Sequence, residues 1–141
     1  VTTWTYDPQG RTTGRKYAGQ TFDQVKYDYD AVGRVTWRRA YTTPTSYQQT
    51  TPTWDDNGNL TGIDFPTGTD VSAVYDDANR LTQVTDAAGT TVFGHDAAGE
   101  VVSENGPWVD DTVSRTLDTA GRVSGLAVQG PAGQAFSVGY G

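Results

Sequence analysis

One local phrase recurs six times along this chain of 141 residues: a bulky residue, Asp, two variable residues, then Gly or Asn. The copies run from Tyr6-Asp7 to Gly10, Tyr29-Asp30 to Gly33, Trp54-Asp55 to Gly58, Tyr75-Asp76 to Asn79, His95-Asp96 to Gly99 and Leu117-Asp118 to Gly121. Successive aspartates are 23, 25, 21, 20 and 22 residues apart. One Asp-x-x-Gly arises by chance; six in near-register do not. A fixed period of this size marks an architecture that stacks one supersecondary unit on the next. Such arrays make walls, tethers and binding surfaces more often than active sites.

The phrase has a direct meaning between two strands. Asp at the first turn position accepts a hydrogen bond from the backbone N–H two residues on. Gly then supplies the left-handed conformation that a three-residue hairpin loop with a bulge demands. Asn79 takes that place in the fourth copy, and Asn is the residue next best able to adopt it. Midway between these turns lies a more varied set: Ala18-Gly19, Thr43-Pro44, Pro66-Thr67-Gly68, Asp86 to Gly89, Asn105-Gly106-Pro107 and Pro131-Ala132-Gly133. Each repeat therefore reads as strand, turn, strand, turn, with no room for a helical period.

The strand entering each motif alternates. Val25, Tyr27 and Tyr29 share one face, as do Val71, Ala73 and Tyr75, and Phe136, Val138 and Tyr140. This is the period of a sheet with one apolar and one wet face. The outgoing strand opens with Arg11, Arg34, Asn59, Arg80, Glu100 or Arg122 and alternates less cleanly, since Leu81 and Val84 fall on opposite faces. A bulge, or cover on both faces, accounts for that. The expected fold is all-β: an antiparallel meander of tandem hairpins, with about thirteen strands forming a sheet that curls. Residues 1–141 form one array of six repeats whose turn motifs start near 6, 29, 54, 75, 95 and 117. A truncated seventh repeat is expected at 140–141, where Gly141 stands in the place of Asp, so the chain reads as a fragment of a longer array.

Composition narrows the function classes. Seventeen Gly, six Pro and 35% hydrophobic residues leave little for a thick core, so aromatic residues must carry much of the packing. A net charge of −7 argues against nucleic acid as a partner. Residues 1–41 carry +3 and residues 42–141 carry −10, a split that reads first as drift among solvated side chains and second as a head-to-tail contact between segments or copies. No apolar run approaches the ~20 residues of a membrane helix. No signal peptide is visible and the first residue is Val1, which reads as a processed or excised amino terminus.

At Tyr29-Asp30-Ala31-Val32-Gly33-Arg34-Val35-Thr36 and Tyr75-Asp76-Asp77-Ala78-Asn79-Arg80-Leu81-Thr82 the chain resembles the YD repeat of Rhs proteins. The likeness covers essentially the whole chain and loosens at Trp54, His95 and Leu117. That family includes bacterial Rhs and wall-associated polymorphic toxins, the C components of insecticidal toxin complexes, and animal teneurins. The resemblance implies a ribbon of hairpins spiralling into a hollow shell, secreted or at the bacterial surface. In bacterial members the shell encloses a toxic carboxy-terminal domain; in teneurins it serves as a scaffold. The family's self-cleavage motif has no counterpart, since Gly130-Pro131-Ala132-Gly133 lacks the acid.

No catalytic, cofactor or metal residue emerges. In Asp55/Asp56 and Asp76/Asp77 one member makes the turn and the other is expected in solvent; Asp110/Asp111 completes the adjacent acids. Calcium would need several oxygens converging on one point. His95, the single histidine, occupies a slot held elsewhere by Tyr or Trp and reads as packing. The expected partners are further repeats or other copies edge to edge, and an enclosed toxin domain. The alternative is an extracellular carbohydrate-binding or adhesion module, in which Trp4, Trp37, Trp54, Trp108 and the eight tyrosines present stacking faces to glycans.

Overall fold

Each motif aspartate sits where one strand turns back into the next, and the computed structural model, which describes residues 1–130 and 135–140, is built from that event. The described strands are β1 (Thr3–Tyr6), β2 (Thr12–Lys16), β3 (Val25–Tyr29), β4 (Val35–Tyr41), β5 (Tyr47–Trp54) and β6 (Leu60–Asp64) in a first unit, Val1–Asp70. A second unit, Val71–Gly141, holds β7 (Val71–Tyr75), β8 (Leu81–Asp86), β9 (Gly89–His95), β10 (Val101–Asn105), β11 (Val113–Leu117), β12 (Val123–Gln129) and β13 (Ala135–Gly139). Within each unit the strand order is the chain order and every pairing is antiparallel. The protein is an all-β antiparallel meander, and no helix occurs among the described residues.

The less regular outgoing strands have one cause. At every motif the pairing register slips by one residue just beside the turn. Asp28 faces Trp37 while Tyr29 faces Val35, which leaves Thr36 as an extra residue. The same slip leaves Thr13, Thr61, Thr82, Val102 and Ser124 unpaired in the other five hairpins. A bulge of this kind bends the strand and shifts the phase of its side chains, so Leu81, opposite Tyr75, and Val84, opposite Ala73, share one face despite their odd spacing, not opposite faces as unbroken alternation implies. The hydroxyls at these positions then cross the hairpin. Thr13 donates to Thr5 Oγ1 at 3.3 Å, Thr61 to Thr53 Oγ1 at 3.2 Å and Thr82 to the Val74 carbonyl at 3.1 Å. Ser124 donates to the Thr116 carbonyl at 3.2 Å. Thr36 Oγ1 is buried without a partner.

The core is thin. Val25, at 4% exposure, is the one buried hydrophobic residue among those described. Alternation survives in β7, where Ser72 and Val74 are exposed and Val71, Ala73 and Tyr75 are half-buried. In β13 it is weaker, for Phe136 is 64% exposed. With so little apolar burial, hydrogen bonds and ring stacking across neighbouring strands carry more of the cohesion than in an ordinary domain.

The second set of turns is varied, as its composition implies. Gly19 and Gly68 take positive φ, and Asp86 to Gly89 closes a two-residue turn in which Ala88 N–H donates to Asp86 Oδ1 at 2.8 Å. The expected turn at Pro131-Ala132-Gly133, and the place of Gly141, lie outside the described residues.

Candidate functional site

The six motif turns share one cage of hydrogen bonds. In the second copy, Asp30 N–H donates to the Arg34 carbonyl at 2.9 Å and Gly33 N–H to the Asp30 carbonyl at 3.1 Å. Asp30 Oδ1 accepts from the Val32 and Arg34 N–H groups at 3.1 and 2.8 Å, and Oδ2 accepts from Arg34 Nε at 2.7 Å. Asp7, Asp76 and Asp118 repeat that pattern with Arg11, Arg80 and Arg122. Asp55 uses Asn59, whose Nδ2 donates at 2.8 Å. At the turn's last position Gly10, Gly33, Gly58, Gly99 and Gly121 have φ between 76° and 92°, and Asn79 has φ 59°. A β-carbon is disfavoured in that region, and Asn is among the few side chains that tolerate it.

These contacts set the acidity of the turn. Asp30 is held below its ordinary value first by the side-chain hydrogen bond from Arg34, against opposing desolvation. For Asp55 the first cause is the side-chain hydrogen bond from Asn59, and for Asp76 and Asp118 it is the backbone N–H of Arg80 and Arg122. At Asp7 desolvation pushes upward most strongly, yet the combined hydrogen bonds and charge of Arg11 and the Gln9 N–H outweigh it. These five carboxylates are thus fixed as anions and occupied as acceptors. They are poor candidates for proton transfer at neutral pH.

The arginine at the fourth position after Asp reaches further. Its Nε closes its own turn while Nη1 donates to the carbonyl of the next motif's aspartate: Arg11 to Asp30 at 3.3 Å, Arg34 to Asp55 at 2.8 Å and Arg80 to Asp96 at 3.2 Å. The next motif's ring closes the loop. Arg11 lies 4.6 Å from the Tyr29 ring centre and Arg34 5.9 Å from that of Trp54. Tyr29 Oη donates back to the Thr12 carbonyl at 2.7 Å, and Trp54 Nε1 to the Val35 carbonyl at 2.9 Å. Bulky residue, aspartate and arginine are therefore three parts of one link between successive repeats. Residues 75–107 match the RHS Repeat family model. Over that stretch the chain is similar to the Rhs repeat.

The matched stretch spans the Tyr75 and His95 motifs, the pair that Arg80 joins. Among solved structures, the crystal structure of TcdB2–TccC3–TEV superposes on 98% of this chain with a TM-score of 0.75 and 15% sequence identity, over 8% of its own length. The Photorhabdus luminescens Tc holotoxin pore, with a variant TccC3, superposes on 90% with a TM-score of 0.71, 14% identity and 7% of its length. A TcdB2–TccC3–Cdc42 crystal structure gives 90%, 0.71, 15% and 7%. The likeness is one of fold, and this chain spans less than a tenth of those structures' length. No curated protein matches it in sequence.

The remaining candidates fall outside the links. Asp56 and Asp77 are exposed. Asp111 Oδ2 accepts the Trp108 N–H at 2.9 Å, and its Oδ1 is buried without a partner. His95 is half-buried at the end of β9, opposite Val101. Tyr6, ahead of the first motif arginine, is 60% exposed, and Leu117 follows a motif whose fourth residue is Glu100. Among the described residues, no group of three or more His, Asp or Glu is placed to hold a metal ion. No described helix is long and apolar enough to cross a membrane, which says nothing of a β-barrel. The forward reach of the arginine was not evident in the sequence, although Arg in four of six copies was the signal that marks it.

Proposed function

We infer that the chain is a non-catalytic segment of an Rhs-type wall, six repeats with the start of a seventh, in a secreted bacterial protein whose curled shell encloses or presents an effector domain. The observation that carries this reading is the arginine link, repeated at Arg11, Arg34 and Arg80. It joins one repeat to the next through the same groups that close each turn, so the recurring chemistry of the motif is consumed in making a continuous surface. Likeness in fold to the Tc structures supports the same reading.

Limited proteolysis of the protein that carries this segment tests it. A domain enclosed by the wall is protease-resistant and becomes sensitive when Arg34 and Arg80 are both replaced by Ala. Equal sensitivity before and after replacement overturns the enclosure reading. The carbohydrate reading draws support from Trp108, 69% exposed at the β10–β11 loop. It predicts glycan-array binding that Trp108→Ala abolishes, whereas a wall segment binds none.

A further inference from the structure

Of the seven Lys and Arg in residues 1–41, Arg11 and Arg34 form ion pairs with their turn aspartates, and the other five form none with a described residue. Two of those five meet on one face of β3–β5. The pairing register sets Lys26, Arg39 and Gln49 side by side, with Tyr41 opposite Tyr47 on the same face. The Arg39 guanidinium lies between two rings, 4.1 Å from the centre of Trp37 and 4.5 Å from that of Tyr47. Its Nε donates to Gln49 Oε1 at 2.7 Å, and Gln49 is itself held because its Nε2 donates to Thr51 Oγ1 at 3.1 Å. Tyr47 packs on Tyr41 at 5.1 Å, and Lys26 Nζ stands 5.4 Å from the Tyr41 ring centre.

Arg39 thus has half of the arrangement found in the motif arginines. There, Nε fixes the guanidinium locally and Nη1 donates to an oxygen brought by the next repeat. In Arg39 the Nε is fixed, the plane is clamped by two rings, and neither Nη has an acceptor among the described residues. Asp28, the acid opposite Trp37 on this face, forms no ion pair with Arg39 or Lys26. A pre-oriented planar fork of N–H donors matches a carboxylate, and its ordering cost is already met by the protein.

We propose that Arg39, clamped by Trp37 and Tyr47 and supported by Lys26, is a carboxylate-binding site for an acidic polypeptide segment lying across β3–β5. A neutral or acidic glycan would dock on bare ring faces, but here Arg39 and Lys26 already cover faces of Trp37, Tyr47 and Tyr41. In an extended peptide, alternate acidic side chains lie ~7 Å apart on one face, within reach of two long cationic side chains on strands ~4.8 Å apart. This inference goes beyond the wall reading and does not rest on it.

The test is a titration with an octaglutamate peptide at low salt, read by tryptophan fluorescence. Saturable binding is expected, weakened about tenfold by Arg39→Gln and nearly as much by Arg39→Lys, which keeps the charge but loses the fork. Arg38→Gln, on the opposite face of β4, leaves binding unchanged. Should Arg39→Gln lower the melting temperature, Lys26→Gln carries the test with an expected loss of about threefold. The proposal is overturned if octaglutamate does not bind, if Arg38→Gln and Arg39→Gln weaken it equally, or if polygalacturonate binds and octaglutamate does not.

Discussion

The hairpins at Asp30 and Asp96 have the same backbone and different roles in the array. Both close with an N–H donated across the turn at 2.9–3.0 Å, and both present Oδ1 to two backbone N–H groups. At Asp30 the fourth residue is Arg34, which grips Oδ2, stacks on Trp54 and reaches the Asp55 carbonyl. At Asp96 it is Glu100, a like charge that can do none of these. The Asp96 turn therefore receives a link from Arg80 but does not pass one on. The comparison separates two jobs inside one motif: aspartate and glycine make a hairpin, whereas arginine makes an array.

The largest expected effect comes from breaking the fuller site. Asp30→Ala removes the acceptor for two N–H groups and for Arg34, and should lower the melting temperature by about 5–10 °C, with Asp96→Ala costing about half as much. Equal losses in a thermal melt would mean the arginine adds nothing. The same contrast is readable in acid. Because the Asp30 carboxyl is held below its ordinary value of 3.8 in the folded chain, its contribution is present in full above the unfolded value. It fades as pH falls through the lower folded one. An acid melt should therefore lose stability below about pH 4, and Asp30→Ala should flatten that loss.

Next in size is the backbone. Gly33→Ala should destabilise by more than ~1 kcal/mol, since φ is 92° there, while Gly33→Asn should be nearly harmless, as Asn79 at φ 59° illustrates. Equal tolerance in chemical denaturation would remove the positive-φ argument. Smaller again is a gain: Glu100→Arg should raise the melting temperature by about 2–4 °C by supplying Asp96 Oδ2 with a donor. No gain, with Arg80 intact, would show that Arg at this position stabilises only where an aromatic residue follows. The smallest effect is at the bulges. Thr36→Val removes a buried hydroxyl that has no partner and should be neutral or slightly stabilising. Thr61→Val loses the bond to Thr53 and should cost about 0.5–1 kcal/mol.

Much of the array was legible in one dimension because its signals are local. The turn at Asp30-x-x-Gly33 depends on hydrogen bonds within five residues and on a φ that few side chains tolerate, so residue identity alone announces it. The alternation of Val71, Ala73 and Tyr75 is equally local, being a property of an extended backbone. Three features needed the fold. A bulge beside each turn was expected, but its place at Thr36 or Thr82 is defined against a partner strand, and composition does not report register. The link from Arg34 to the Asp55 carbonyl joins residues 21 apart, a proximity that exists only once the intervening hairpin has folded back. The clamp on Arg39 likewise takes Trp37 from its own strand but Tyr47 and Gln49 from the next. Conformational preference is written residue by residue, whereas contact between distant residues is decided by which strands lie side by side.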